Sequence, residues 1–302
     1  MWAQCLIVVR RNLTTHLHPS ISDLLHLPYA MEQNKLVVIS SFVAFFLLQS
    51  TLAASQEVED EKEFSYVTGS ELGPEHWGEI HKDWVACGDG HMQSPIDLSH
   101  KRVRILPNLS HLRRSYRPAM AIVENRGHDI MLKWEDEAGV IWINGTKYAL
   151  KQLHWHSPSE HTINGRRYSL ELHMVHESAD KNIAVVGILY KMGRHDPFLA
   201  KLERYIKKIA DKHDAEEVAG MVDPRHIRKG SRKYYRYMGS LTTPPCTEGV
   251  VWTIIKKVRT VSREQVALLR EAVHDDSEMN ARPTQQINGR IVGFYRPQQF
   301  QY

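Results

Sequence analysis

The sequence predicts one β-dominated domain in which a large mixed sheet is flanked by a few short helices. Short runs rich in β-branched and aromatic residues recur through residues 121–294, whereas only two segments show a helical period. Strands and helices do not alternate regularly, which argues against a parallel βαβ architecture. No linker, repeat or low-complexity block interrupts residues 64–302, and this length suits a single domain with a substantial core.

The elements follow from local patterns in chain order. The predicted strands are residues 121–124, 130–134, 140–143, 147–156, 168–177, 183–192, 250–261 and 290–294. The run at 184–189 is apolar on both faces, so we expect that strand to be buried on both sides. A helix is predicted over 197–210 from its 3.6-residue apolar period, and another over 262–273 from the capping-box spacing of Ser262 and Gln265.

The segment at residues 152–176 holds a candidate metal site. His154 and His156 are two positions apart on a predicted strand, so their side chains point to the same face. A second strand, after an Asn-Gly turn, presents His173 on one of its own faces. If the turn region brings the strands together, three imidazoles converge, and three histidines with an open fourth position are typical of a catalytic zinc. The alternative is a chance pattern in a chain with 18 histidines.

Other polar residues are placed to support such a site. Gln152 and Glu171 each precede one of these histidines by two positions, on the same strand face, where they could hold the outer ring nitrogen. Downstream, the sequence GSLTTPP at 239–245 puts Thr242 on a proline-stiffened turn, where its hydroxyl could contact a group bound to the metal. The alternative for this segment is an ordinary turn before a strand.

Several motifs occur in one order along the chain. They are HWG at 76–78, QSPID at 93–97, NRGHD at 125–129, QLHWH at 152–156, SEHT at 159–162, ELHMVH at 171–176, GSLTTPP at 239–245 and NARP at 280–283. Over residues 64–297 the chain resembles an α-class carbonic anhydrase, in a form similar to the plant and bacterial branches. The resemblance implies a twisted, mostly antiparallel sheet of about ten strands, with zinc at the base of a conical cleft. It also implies reversible hydration of carbon dioxide to bicarbonate and a proton.

The resemblance assigns roles within the site. The three histidines would bind Zn²⁺, which generates hydroxide for attack on carbon dioxide. Thr242 would accept a hydrogen bond from that hydroxide and donate one to Glu160, which orients the attack. Thr243 would contact bicarbonate. An apolar wall would hold the carbon dioxide, although each of its members, taken singly, is better explained from sequence alone as ordinary core: Val175, Val185, Leu241, Val250 and Trp252.

The resemblance also assigns the proton shuttle to His128, since the pKa of a histidine suits a relay near neutral pH. Three nearby residues depart from the family pattern. Glu79 follows the HWG motif, where animal members have a tyrosine, and Arg126 precedes the Gly-His pair. Met131 stands where an amide side chain often orders water. These departures put the efficiency of proton transfer in question and leave the zinc chemistry unaffected.

The pattern of the N-terminal region indicates a targeting sequence. Residues 31–54 combine a charged start, an apolar run and small residues at the end, as in a secretory signal peptide. The apolar run is too short for a comfortable membrane span, so none is expected after cleavage. Residues 1–30 are either an extension upstream of a true start at Met31 or a plastid transit segment. The predicted destination is the extracellular space or apoplast, with the chloroplast stroma or thylakoid lumen as the alternative.

Cleavage of this signal leaves residues 55–63 as an acidic tail before the carbonic anhydrase domain at 64–302. Two of the three cysteines then remain, Cys87 and Cys246, and a pair behind a signal peptide favours one disulfide. The resemblance implies the same bridge. Asn108 and Asn144 begin glycosylation sequons, which matter only in the secretory pathway.

Composition and motif details weigh against other classes. A net charge of +4 gives no case for a nucleic-acid partner, and the basic stretch at 225–236 is interpreted as a solvated loop. No obligate protein partner is evident. The spacing of His154, His156 and Glu160 also fits a cupin metal motif, but Tyr148 stands where that motif needs glycine. A carbonic-anhydrase-like storage or binding protein with weak or no activity is the non-enzymatic alternative.

Overall fold

The structure is a computed structural model that describes residues 63–273 and 276–297. The predicted extension at 1–30, the signal peptide at 31–54 and the acidic tail up to residue 62 lie outside the described residues. Within the described ranges, no helix has both the length and the apolar character needed to cross a membrane.

Strands dominate the described part of the chain. They are β1 Val103–Ile105, β2 Arg113–Tyr116, β3 Ala119–Asn125, β4 Ile130–Trp134, β5 Gly139–Ile143, β6 Thr146–His156, β7 Thr162–Ile163, β8 Arg166–Arg167, β9 Leu170–Ser178, β10 Ile183–Met192, β11 Glu216–Val222, β12 Tyr234–Ser240, β13 Glu248–Ile255, β14 Arg259–Val261 and β15 Val292–Tyr295.

One sheet of thirteen strands contains all of these except the small β7–β8 hairpin. Its main order is β1-β15-β12-β13-β10-β9-β6-β4-β3-β11, with β14 paired to β10, and with β5 paired to both β2 and β6. The pairs are antiparallel except for β1–β15, β10–β13 and β10–β14. The predicted large, mostly antiparallel sheet is confirmed, and it has more strands than the ten expected.

Among the described residues, helices are few and short, as predicted. They are α1 Trp77–Ile80, α2 Ala86–Asp89, α3 Glu203–Ile209 and α4 Arg263–Ala272. The capping box of α4 is present, because the Ser262 hydroxyl accepts from the Gln265 backbone N–H while the Gln265 side chain accepts from the backbone of Ser262. The helix predicted over 197–210 is instead a 3₁₀ turn, Leu199–Lys201, followed by the shorter α3.

Two sheet features differ from the sequence prediction. The run at 250–261 is two strands, β13 and β14, separated by a short bend. Strand β12 begins inside the basic stretch that was interpreted as a loop, so that interpretation is wrong for residues 234–236. Tyr234 and Tyr235 are both buried, and they alternate between the two faces of the sheet.

The two faces of the sheet support separate apolar clusters. Strand β10 contributes Val186 to one cluster and Val185 to the other, so it is buried on both faces as predicted. A third cluster surrounds the disulfide between Cys87 and Cys246, with Phe64 among its members. The predicted bridge is therefore present, and it ties the segment of α2 to the turn after β12.

Candidate metal centre

Three buried histidines meet where β6 and β9 pair. The antiparallel register places His154 directly opposite His173, and His156 lies two residues further along β6 on the same face. Their ring centroids are 4.6 to 5.3 Å apart. One nitrogen from each ring lies within 4.8 Å of the others, so the rings converge on a single point.

Hydrogen bonds orient the two rings on β6. Nδ1 of His154 lies 2.8 Å from Oε1 of Gln152, and Nδ1 of His156 lies 2.7 Å from the backbone carbonyl of Asn280. Both partners are oxygens that only accept, so Nδ1 carries the proton in each ring. Each ring therefore offers an unprotonated Nε2 to the centre, as a metal ligand must.

The third ring is oriented the other way round. Oε1 of Glu171 lies 3.0 Å from Nε2 of His173, which leaves Nδ1 of that ring for the centre. Oε1 of Glu171 also accepts from Nδ1 of His161, and its Oε2 accepts from the backbone N–H groups of Glu160 and His161. Although burial acts in the opposite direction, the neighbouring His161 and His173 hold the pKa of Glu171 well below its usual range. Glu171 is therefore a carboxylate that fixes several groups of the site at once.

Burial keeps most of the triad neutral. It holds the pKa of His154 well below its ordinary value and lowers that of His173, and neutral imidazole is the form that binds metals. Burial acts the same way on His156, but Glu160 and the Asn280 carbonyl outweigh it and raise the pKa of that ring. Oε2 of Glu160 lies 3.7 Å from Nε2 of His156 and 3.9 Å from Nδ1 of His173.

Unpaired buried atoms show that the residues fit a metal and a polar ligand. Nε2 of His156, Oε2 of Glu160 and Oγ1 of Thr243 have no hydrogen-bond partner among the described residues. Leaving such groups unpaired costs about 1 to 3 kcal/mol each. A cation held by three imidazoles, with a polar ligand in a fourth position, would satisfy atoms of this kind.

The turn after β12 carries the two candidate threonines, Thr242 and Thr243, which are both buried. The turn is held by a backbone hydrogen bond from Cys246 to the carbonyl of Thr243, 2.9 Å long, and by the disulfide to Cys87. Oε1 of Glu160 accepts from the backbone N–H of Arg282, which fixes the carboxylate from the side away from the histidines.

The predicted apolar wall adjoins the triad. Val185, Leu241, Val250 and Trp252 are buried in one cluster on the histidine face, and the half-buried Val175 packs against it. The ring of Trp252 lies 4.8 Å from the ring of His173, so apolar surface begins next to the metal-binding atoms.

The predicted shuttle residue, His128, is buried, with 1% of its surface exposed. Its ring lies 5.3 Å from the ring of Phe64, and neither ring nitrogen has a hydrogen-bond partner among the described residues. Burial lowers the pKa of His128 to about 4. In this position the ring contacts side chains of the protein instead of bulk water.

The three departures from the family pattern take different positions. Arg126 forms a buried ion pair with Asp129, next to His128. Met131 is buried on β4, opposite His154. Glu79 is exposed and contacts His76, so its carboxylate is directed to the surface.

Sequence reasoning did not assign roles to two residues that organise the centre. Asn280 supplies the carbonyl for His156, and its side chain bonds to the backbone of Ser157, His128 and Trp155. The guanidinium of the buried Arg282 donates to the side chain of Gln93 and to the carbonyls of Ser94 and Cys87. Both lie in the NARP motif, which signalled the family but not these contacts.

Comparison with known proteins agrees with this geometry. A profile described as eukaryotic-type carbonic anhydrase matches residues 72–296. Alpha carbonic anhydrase 7 of Arabidopsis thaliana is 58% identical over 261 residues, which are 86% of this chain and 95% of that protein. The crystal structure of dioscorin complexed with ascorbate is 48% identical, with a TM-score of 0.75, and covers 77% of this chain and 98% of dioscorin. The α-carbonic anhydrase of Thermovibrio ammonificans, solved with the inhibitor sulfanilamide, is 35% identical, with a TM-score of 0.70, and covers 76% and 98%.

A large open sheet with three inward histidines on adjacent strands, matched along most of its length, defines a carbonic anhydrase. The chain belongs to the eukaryotic-type, or α, carbonic anhydrase family, and it is similar to the plant members of that family. The resemblance deduced from the motifs is confirmed.

Proposed function

We propose that this protein binds one Zn²⁺ through His154, His156 and His173 and uses it in the reversible hydration of carbon dioxide to bicarbonate and a proton. The observation that carries the proposal is the convergence of three buried imidazoles, each with an oxygen acceptor within 3.0 Å of its outer nitrogen. When bound, Zn²⁺ lowers the pKa of a coordinated water to about 7, a value for which carbonic anhydrase is itself the standard example.

Thr242 and Glu160 orient the reacting oxygen. The buried carboxylate of Glu160 is fixed by the backbone N–H of Arg282, and its second oxygen could accept a hydrogen bond from the Thr242 hydroxyl. A threonine that donates to a carboxylate must accept from the attacking group. This arrangement favours an attacking group that carries a proton. It also holds the lone pair of that group toward the substrate carbon.

The apolar wall would bind the substrate, and Thr243 would bind the product. Carbon dioxide has no hydrogen-bond donor, so apolar contact with side chains such as Val185 and Trp252 would hold it beside the triad. Bicarbonate has donors and acceptors, and the unpaired hydroxyl of Thr243 would bond to it.

His128 is the proposed route for the proton, from an outward position of its ring. At a pKa of about 4 the buried ring would not take up a proton at neutral pH. A rotation past Phe64 would bring it to water and return its pKa toward the ordinary value of about 6.5. Proton export therefore depends on this rotation of the His128 ring, and we expect the rotation to limit turnover when external buffer is scarce.

The secretory pathway is the proposed location, with the chloroplast as the alternative. The disulfide Cys87–Cys246 supports an oxidising compartment. Asn108 and Asn144 are exposed, and Asn144 lies in the turn between β5 and β6, so both sequons are accessible to glycosylation. Mass spectrometry of the protein from its native tissue would test both the leader cleavage and the glycans.

A storage or binding protein with weak or no activity is the second candidate. It is favoured by the 48% identity to dioscorin, whose structure contains ascorbate. A hydration assay on the purified full chain separates the two candidates. The enzyme loses its activity to a zinc chelator and regains it with added Zn²⁺. A zinc-loaded protein that does not accelerate hydration above the buffer rate would support the storage role instead.

A further inference from the structure

A cavity of about 540 Å³ lies on the sheet face opposite the histidine triad. Its floor includes Leu112, Tyr234 and Ile255, which belong to the apolar cluster on that face. The triad lies on the other face, beside the cluster that contains Trp252. The cavity is therefore separate from the metal centre.

Basic side chains surround this cavity. The lining includes His111 and Arg114 from the β2 side, and four basic residues of the 225–236 stretch: Arg225, Arg228, Lys229 and Arg232. Among the described residues that line it, none carries a carboxylate. Arg225 is already engaged by Asp223, at 2.8 Å. The remaining cations converge on the cavity without an acidic partner in its wall.

The cations are close enough to affect one another. Burial, with a smaller contribution from Arg114, lowers the pKa of Lys229 to about 7. Burial also lowers the pKa of His111, and the further causes are the charges of Lys229, Arg232 and Arg114. Like charges that repel one another across a concave surface are stabilised by an anion placed between them.

The loop that carries these cations is held in place. Nη1 of Arg259 donates to the carbonyl of Arg228, at 2.7 Å, and the Ser231 hydroxyl accepts from the backbone of Lys233, at 3.0 Å. Gly230 has a φ of +73°, a backbone conformation that favours glycine. The hydroxyl of Tyr234, at the start of β12 directly after this loop, donates to the carbonyl of Ser110 in the segment before β2. The cavity is a preformed part of the fold.

We propose that this cavity binds a phosphate group, either as inorganic phosphate or as the phosphate of a small ester. Guanidinium groups match phosphate through paired hydrogen bonds, and a dianion compensates more of the clustered charge than a monoanion such as bicarbonate. The cations line a concavity instead of an extended stripe, which favours a small ligand over a nucleic-acid backbone.

The test is calorimetric titration of the full chain with inorganic phosphate at low ionic strength. We expect saturable binding of one phosphate per chain. Removing one charge-assisted hydrogen bond weakens binding on the order of tenfold. The variant with both Lys229→Met and Arg232→Ala should therefore bind about 100-fold more weakly. The control carries Lys207→Met and Arg194→Ala, exposed cations outside the cavity, and should bind as the wild type does.

Two further arms locate the site and identify the ligand. His154→Ala should leave phosphate binding unchanged, because the cavity lies across the sheet from the metal centre. Glucose 6-phosphate binding more tightly than inorganic phosphate would identify an ester as the ligand, and weaker binding would identify the free ion. The proposal is overturned if the wild type shows no saturable binding, if the control loses affinity equally, or if His154→Ala abolishes it. Tighter binding of a short single-stranded oligonucleotide than of either phosphate would assign the surface to nucleic acid instead.

Discussion

At the scale of single residues, strand alternation predicted much of the site. The spacing of His154 and His156 placed two imidazoles on one face, and the same rule put Gln152 and Glu171 beside their histidines. Sequence could not show which ring nitrogen faces the centre. That choice depends on distant partners, such as the Asn280 carbonyl, 124 positions from His156.

Thr242→Ala should keep zinc and lose turnover. Loss of a preorganised polar contact at a reacting centre typically costs on the order of 10² to 10³ in rate. If Thr242 and Glu160 act as one unit, as we propose, Glu160→Gln combined with Thr242→Ala should cost less than the product of the two single losses. Steady-state hydration kinetics and metal analysis of the three variants check this. Strictly multiplicative losses would count against a shared role.

His128→Ala should lower kcat in dilute buffer and leave kcat/KM nearly unchanged, because proton export follows the attack on carbon dioxide. Added imidazole should restore the lost turnover. His195→Ala, which removes a surface histidine paired with Glu203, serves as the control and should change neither constant. If kcat of His128→Ala equals that of the wild type in dilute buffer, the burial against Phe64 has already disabled the shuttle.

At the scale of elements, local pattern located most of the central strands, including β4 and β10 with their bounds. Local pattern did not predict β12, because the basic residues before this strand indicated a loop. Strand β12 starts with two tyrosines and an arginine after a run of basic residues, and only its pairing with β13 and β15 makes it a strand. The break between β13 and β14 likewise depends on partners that are remote in sequence.

The disulfide should contribute strongly to stability, because Cys87 and Cys246 are 159 positions apart. The chain-entropy estimate for closing so long a loop is about 5 kcal/mol. Cys87→Ala should therefore lower Tm clearly under oxidising conditions, and a reductant should lower the Tm of the wild type but leave that of the variant unchanged. Calorimetry of both proteins with and without reductant gives the answer. Equal Tm values for all four samples would show that the disulfide does not contribute to stability.

At the scale of the whole molecule, the sheet separates two chemistries. One face carries the histidines and the apolar wall, assembled because the parallel β10–β13 pair sets Val185 beside Trp252. The other face carries the basic cavity. The family motifs predicted the first arrangement. The second was missed because the basic stretch at 225–236 was interpreted as a solvated loop, and because the sequence does not show that His111 and Arg114 lie beside it.

The central claim is that three histidines hold one catalytic zinc, and metal analysis coupled to a hydration assay tests it most directly. The wild type should contain one zinc per chain. His154→Ala, His156→Ala and His173→Ala should each lose most of the metal and the activity together, while the surface control His195→Ala should keep both. A triad variant that folds and retains full zinc and the full hydration rate would contradict the account.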